Sequence, residues 1–304
     1  MKITSKDNPS IRLLKEDEIN AIEMHSFLNL INVVYLQLEF IKDLTERADL
    51  LDPVLKKTDD LITGIRNKDK QSYLPRSIRE YQDVVLALFD QLESEFNDKK
   101  ILGEIRETRQ IFHDVFVVMS IRSKELLDTI SNPGEWKTYT IEQLKKDFNE
   151  FFHAVEKNSK GRYGIVQNIA KQESNDYLVN FDVDSDLDNK IKMPLLFKDV
   201  LRDLIANARK YTAPGGQILV GIYQKKDMLR FIVEDKGIGI PADELHRVFE
   251  YGFRAKNVRD KPTMGGGFGL TKALYIVDKL NGDIWIDSEE GVGTKIKIEI
   301  PTPN

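Results

Sequence analysis

Asp203-Leu-Ile-Ala-Asn207-Ala-Arg-Lys210-Tyr211-Thr, Asp235-Lys-Gly237-Ile-Gly239-Ile-Pro241, Val248-Phe249-Glu-Tyr-Gly-Phe253-Arg254 and Gly265-Gly-Gly267-Phe-Gly269-Leu270 follow one another in that order between Leu201 and Pro301. Around the first piece, Val200, Leu201, Leu204, Ile205 and Ala208 recur at helical spacing, which predicts a helix with one buried face. The second piece ends the strand-like run Leu229-Arg-Phe-Ile-Val233. The glycines of the fourth precede another apolar-periodic helix, through Leu270, Leu274, Ile276, Val277 and Leu280. Strands alternating with helices in this way predict an α/β sandwich, with helices on one face of a mixed sheet.

The same pieces carry chemistry. Asp203 and Asn207 are four apart and therefore stacked on one helix face. A carboxylate and an amide supply oxygen ligands, which suit Mg²⁺. Lys210 and Tyr211 follow one turn later, where a cation can reach a phosphate and a ring can pack. Asp235, at a strand end, can accept a hydrogen bond from an exocyclic amine such as that of adenine. Gly237 and Gly239 let the backbone turn and come close to the base. A glycine-rich loop feeding a helix N-terminus aims N–H groups and the positive end of the dipole at an anion. Each piece alone also fits a helix-surface amide or an ordinary turn. The four in order point to ATP with Mg²⁺.

Residues 203–301 resemble the ATP-binding domain of the GHKL superfamily in its histidine-kinase branch. The four pieces match that family's N, G1, F and G2 boxes. The tail from Gly282 through Gly291-Val-Gly293-Thr294 to Pro301 matches its closing strands. The resemblance implies Asn207 as the Mg²⁺ ligand, Asp235 as the adenine-reading carboxylate and Gly265–Leu270 as the phosphate-side lid. It also implies Lys210 and Arg254 as phosphate contacts, with Thr294 behind the adenine site. Lys236 stands where the family usually has Asn, and Phe268 where it usually has Leu; neither change removes a ligand.

At 304 residues the chain has room for two domains. An apolar content of 41% and a charged content of 31% describe a soluble globular protein with well-solvated helices. The net charge of −5, with no concentrated basic patch, argues against nucleic-acid binding. No cysteine is present, so disulfides and thiolate metal sites are excluded. No apolar run approaches the roughly 20 residues of a membrane helix, and there is no signal-peptide pattern. A cytoplasmic protein with no membrane segment in this chain is expected.

Residues 1–14 are polar and read as a frayed end. From Lys15 a helix is predicted with Phe27, Ile31, Val34, Leu38 and Ile41 as a coiled-coil-like seam. Residues 67–76 read as a hairpin loop, and a second helical stretch runs from Ser77 to Ile130. Two arms that cannot bury their stripes alone predict a long helical hairpin, completed as a four-helix bundle on dimerisation. The alternative is a bundle of four shorter helices within one chain, broken at Pro53 and Gly103. Asn132-Pro133-Gly134 marks the boundary. The expected class is α+β: residues 1–135 a dimerisation and histidine-phosphotransfer hairpin, 136–304 a GHKL ATP-binding catalytic domain.

His25, in Glu23-Met24-His25-Ser26-Phe27-Leu28-Asn29, lies near the start of the first arm. Asn29 and Asn32 follow at i+4 and i+7, a polar stripe opposite the seam. By resemblance His25 is the phosphoacceptor and Asn29 the polar residue that aids dephosphorylation. The family's motif usually carries an acid directly after the histidine and a proline five later; Ser26 and Leu30 stand there. Glu23 and Asp114 are the acids that could take the missing part. His113 is the rival, with Asp114 beside it but Val117 at +4. His153 and His246 carry no supporting pattern.

The leading expectation is an ATP-dependent protein-histidine autokinase. It phosphorylates its own His25 and passes the phosphoryl group to an aspartate in the receiver domain of a separate response regulator. Asp203 is the expected polariser of the attacking nitrogen or of a Mg²⁺-bound water. The alternative is a nucleotide-binding signalling scaffold, or a response-regulator phosphatase with little autokinase activity. A GHKL serine kinase or ATPase has no use for the long hairpin with a histidine on its outer face.

Overall fold

The computed structural model describes residues 2–4, 14–67, 70–131, 135–157, 159, 161–259 and 267–303. They divide into two compact units, one of Lys15–Pro133 and one that joins Met1–Leu14 to Gly134–Asn304. The α+β class stands: a helical unit is followed by a sheet-and-helix unit. Among the described residues, no helix is long and apolar enough to cross a membrane.

The helical unit consists, among its described residues, of α1 (Glu16–Thr45), α2 (Ala48–Asn67), α3 (Lys70–Glu95) and α4 (Lys99–Ser131). α1 packs on α2 and α4, and α3 packs on the same two, so the bundle closes within one chain. Of the two arrangements the sequence leaves open, this is the one with four shorter helices. The predicted seam of Phe27, Ile31, Val34, Leu38 and Ile41 is buried. It meets Leu51 and Leu61 of α2, Val85 and Phe89 of α3, and Phe112 and Phe116 of α4. Phe89 meets Phe112 edge-on at 5.2 Å, and Tyr81 meets Phe116 at 5.8 Å.

The breaks fall elsewhere than predicted. α1 ends where Glu46 turns left-handed (φ 55°). Arg47 then pairs with Asp49 and with Glu95 at the end of α3. Pro53 sits little more than a turn inside α2, where its missing donor costs a single ladder bond. Gly103 lies on the exposed side of α4 with nothing for a side chain to meet, and the helix runs through it. The second break is at Phe96–Asp98, where the Asp98 carboxylate accepts from the N–H groups of Lys100 and Ile101. A side-chain cap stops the preceding helix and starts the next.

In the second unit the described residues form a seven-stranded sheet. Its elements are β1 (Lys2–Thr4), β3 (Ile165–Val166), β4 (Tyr177–Ser185), β6 (Gln217–Lys225), β7 (Met228–Asp235), β8 (Asp283–Glu289) and β9 (Gly293–Pro301), with β2 (Trp136–Thr140) and β5 (Lys190–Pro194) paired separately. The order is β1-β8-β9-β7-β6-β4-β3, parallel only between β3, β4 and β6. Alternate residues Ile218, Val220 and Ile222, Leu229, Phe231 and Val233, and Ile296, Ile298 and Ile300 share one buried face. Three helices add their apolar stripes to that core: α5 (Ile141–Lys157), α6 (Phe197–Tyr211) and α8 (Gly269–Lys279). A short α7 (Lys256–Arg259) precedes α8. Phe197 of α6 stacks on Phe231 of β7 at 4.6 Å.

The reading of residues 1–14 as frayed needs correction at Lys2–Thr4. These three residues pair antiparallel with Trp285–Asp287 of β8, and Ile3 packs on the core. The polar composition conceals one apolar residue in an extended tripeptide, enough to cap a sheet edge.

Candidate nucleotide site

Burial of Phe197, Val200, Leu201, Leu204, Ile205 and Ala208 fixes the roll of α6. Asp203, Asn207 and Lys210 are thereby turned to its half-buried side. The first turn of α8 lies against this side. A Cβ on Gly269 would come 2.8 Å from Asn207 Nδ2 and 3.9 Å from Asp203 Cβ, so no larger residue fits without displacement. One turn into α8, Lys272 Nζ stands 2.9 Å from Asp203 Oδ2 and 3.8 Å from Asp199 Oδ2. The hydroxyl of the buried Thr271 donates to the Glu250 carbonyl at 3.2 Å.

Asp235 closes β7, opposite Thr294 of β9 in the ladder. The Gly237 N–H donates to its Oδ1 at 2.9 Å. Burial pushes the carboxyl up to about 6, against the pull of the Gly237 and Thr294 N–H groups. The loop that follows is tied at both ends. The Ile238 N–H donates to the Tyr211 carbonyl at 3.1 Å, and the Gly291 N–H donates to the Ile238 carbonyl at 2.8 Å. Gly239 has φ +62°, and a Cβ there would sit 1.9 Å from the Glu289 carbonyl oxygen. Ser288, which the sequence reading passed over, supports this loop. Its Oγ accepts from the Ile240 N–H and lies 2.9 Å from Thr294 Oγ1. Only the β8–β9 register, which sets Ser288 opposite Thr294, could have found it.

At the other end of α6, burial lowers the Lys210 ammonium to about 8, helped by the nearby Arg254 and Arg209 guanidiniums. Its Nζ lies 5.2 Å from the centre of the Tyr211 ring. Arg254 donates to the Val258 carbonyl at 2.6 Å, which fixes the guanidinium at the entrance to α7. Gly267 has φ +75°, with the Phe253 carbonyl 2.6 Å from where a Cβ would be. Leu270 is half-buried on the core. Gly265 lies outside the described residues.

These residues fit an adenine nucleotide. A half-buried carboxyl stands beside a glycine turn that side chains would fill, and the Lys210 ammonium at the end of α6 is crowded by the Arg254 and Arg209 guanidiniums. Asn207 offers the amide oxygen that a Mg²⁺ keeping most of its waters would take. Among the described residues there is no cluster of three His, Cys, Asp or Glu side chains to hold a metal.

Residues 193–304 match the family described as histidine kinase-, DNA gyrase B- and HSP90-like ATPase. This segment is a GHKL ATPase domain of the histidine-kinase branch. The chain is 39% identical over 109 residues to the aerobic respiration control sensor protein ArcB of Escherichia coli, covering 35% of this chain and 14% of that one. It is 38% identical over 104 residues to the sensor histidine kinase WalK of Bacillus subtilis, covering 34% and 17%. It is also similar to the adaptive-response sensory kinase SasA of Synechocystis, 32% identical over 133 residues, covering 43% and 34%. The matches thus span between about a seventh and a third of these relatives' lengths. Among solved structures, the catalytic domain of histidine kinase ThkA is 21% identical with a TM-score of 0.40, covering 55% of this chain and 96% of that one. Full-length ShkA in complex with AMPPNP is 19% identical with a TM-score of 0.49, covering 76% and 45%.

In the helical unit, residue 25 falls in α1, but the His25 side chain lies outside the described residues. Asn29 and Asn32, which follow it at i+4 and i+7, are exposed, while Met24 and Phe27 are buried. His113 is exposed on α4, its Nδ1 3.6 Å from Asp114 Oδ1.

Proposed function

We propose that this chain is an ATP-dependent protein-histidine kinase. It phosphorylates its own His25 and hands the phosphoryl group to an aspartate of a response-regulator receiver domain. The observation that carries this reading is the half-buried Asp235 carboxyl beside the Gly237–Gly239 turn. The turn after it is tied to Tyr211 at the end of α6, the helix that carries Asn207 and Lys210, in a domain of the histidine-kinase branch.

Each residue has a part that follows from its place. Asp235 accepts a hydrogen bond from the adenine amine, with Thr294 and Ser288 holding its strand end. Gly237 and Gly239 let the base approach the backbone. Lys210 and Arg254 meet the phosphates, and Tyr211 packs beside them. Gly265, Gly267, Gly269 and Leu270 form the phosphate-side lid, and Asn207 offers its oxygen to Mg²⁺. Bound Mg²⁺ would supply charge neutralisation on the phosphates. Asp203, one turn before Asn207 on the same helix face, is suited to polarising a metal-bound water or the attacking imidazole. Catalysis of this kind is positioning and electrostatics. Asn29, exposed one turn after His25, is suited to orient a water for the reverse, dephosphorylating reaction. A homodimer is the proposed working form. The apolar surface available to bury is Leu36 and Phe40 on α1, with Val117, Val118 and Ile121 on α4, all exposed.

Incubation with γ-labelled ATP and Mg²⁺ tests the reading, comparing the wild type with His25→Gln and Asn207→Ala. Acid-labile label that disappears in both variants is expected. Label surviving in His25→Gln moves the acceptor to His113 or elsewhere. Nucleotide binding without label leaves the scaffold or phosphatase reading, which the Ser26 after His25 favours.

A further inference from the structure

Lys272 has no part in the scheme above, yet its surroundings are unusual. It lies in the first turn of the eleven-residue α8, where the helix dipole disfavours a cation. Its side chain is only 11% exposed, and a buried ammonium persists only when paired. It is paired across the gap between two helices, to Asp203 at 2.9 Å and to Asp199 at 3.8 Å on α6. Arg202 also reaches Asp199, at 3.4 Å. Two acids and two bases thus balance around the point where Gly269 touches Asn207. A helix start built to attract an anion carries an extra cation, and that cation is spent on the acids of the facing helix.

We propose that Lys272 is a positioning residue of the nucleotide site, acting through Asp203. The ion pair fastens the glycine-bearing start of α8 against Asn207. It also cancels the Asp203 charge that would otherwise face the polyphosphate. Asp203 is thereby held in one orientation, and its charge does not oppose the attraction of Lys210 and Arg254 for the phosphates. This inference rests on the nucleotide-site reading above. The adenine end is built on Asp235 of β7 and the glycine turn after it, so the effect is expected on the phosphates and not on the base.

The pair Lys272→Met and Lys272→Met with Asp203→Asn separates charge from mere packing. Binding of ATP, ADP and adenosine is measured by calorimetry, with and without Mg²⁺, on the full chain, and thermal unfolding without ligand checks each variant's fold. With Asp203 uncancelled, ATP and ADP are expected to bind roughly tenfold more weakly, while adenosine is unchanged. Removing the Asp203 charge as well is expected to restore most of the lost affinity, and Lys272→Arg to retain it. Unchanged ATP binding in Lys272→Met overturns the proposal. So does an equal loss for adenosine, or a double variant as weak as the single one. A wild type that binds neither ATP nor adenosine overturns the nucleotide reading itself.

Discussion

Asp235 and Lys210 are the two titrating groups whose environments were shifted in opposite directions, and together they set a pH window. In the free domain Asp235 holds its proton up to about 6, and an ionised carboxylate is the better acceptor for an amine. Nucleotide therefore favours the deprotonated form, and affinity should rise as pH climbs through about 6. Lys210 in the free domain loses its proton above about 8, and a polyphosphate favours the ammonium. Affinity should then fall as pH climbs through about 8. Titration of a fluorescent ADP analogue from pH 5 to 9.5 is expected to give a bell. Asp235→Asn should flatten its acid limb and Lys210→Met its alkaline limb; a wild-type profile flat across the range would contradict both assignments. Gly239→Ala is expected to remove binding altogether, since a Cβ would collide with the Glu289 carbonyl in a left-handed turn. Loss of the calorimetric ATP signal measures it.

At the scale of elements, packing decides what sequence punctuation leaves open. The apolar seam of α1 and the buried stripe of α6 were legible because helical periodicity reads directly as a face. The shared helix face of Asp203 and Asn207 and the glycine turn at Gly239 were legible because helix spacing and a left-handed close approach dictate residue positions and type. The helix breaks were not. Pro53 and Gly103 look like stops, but the stops came from a left-handed Glu46 and a carboxylate cap at Asp98. Neither residue type is special to those roles in advance of the fold. Lys272 was illegible for another reason: its nearer partner, Asp203, lies 69 residues away on another helix. The bundle's energetics belong to this scale too. Phe112 is fully buried against Phe89, and Phe112→Ala should cost roughly 3–5 kcal/mol of bundle stability. Urea unfolding followed by helical circular dichroism reads that loss.

At the scale of the whole molecule, a bundle that closes its own core changes what pairing of two copies means. Dimerisation is not required to bury the seam, so it should be separable from folding. Light scattering is expected to find a dimer in the wild type and a monomer in Leu36→Glu with Ile121→Glu, with helical content retained. A dimer that survives both changes would locate the interface elsewhere.

The pairing of β1 with β8 also has a consequence for the order of synthesis. Lys2–Thr4 is the first described segment to leave the ribosome, and its neighbour Trp285–Asp287 is among the last. The helical unit between them is complete once residue 133 has emerged, and units of this kind fold as they are made. At typical translation speeds, β1 then waits about ten to thirty seconds for its partner strand. The edge of the sheet is thus sealed only once β8 has been made. A nascent or truncated product that stops short of β8 carries a folded bundle, but a first strand with nothing to pair with.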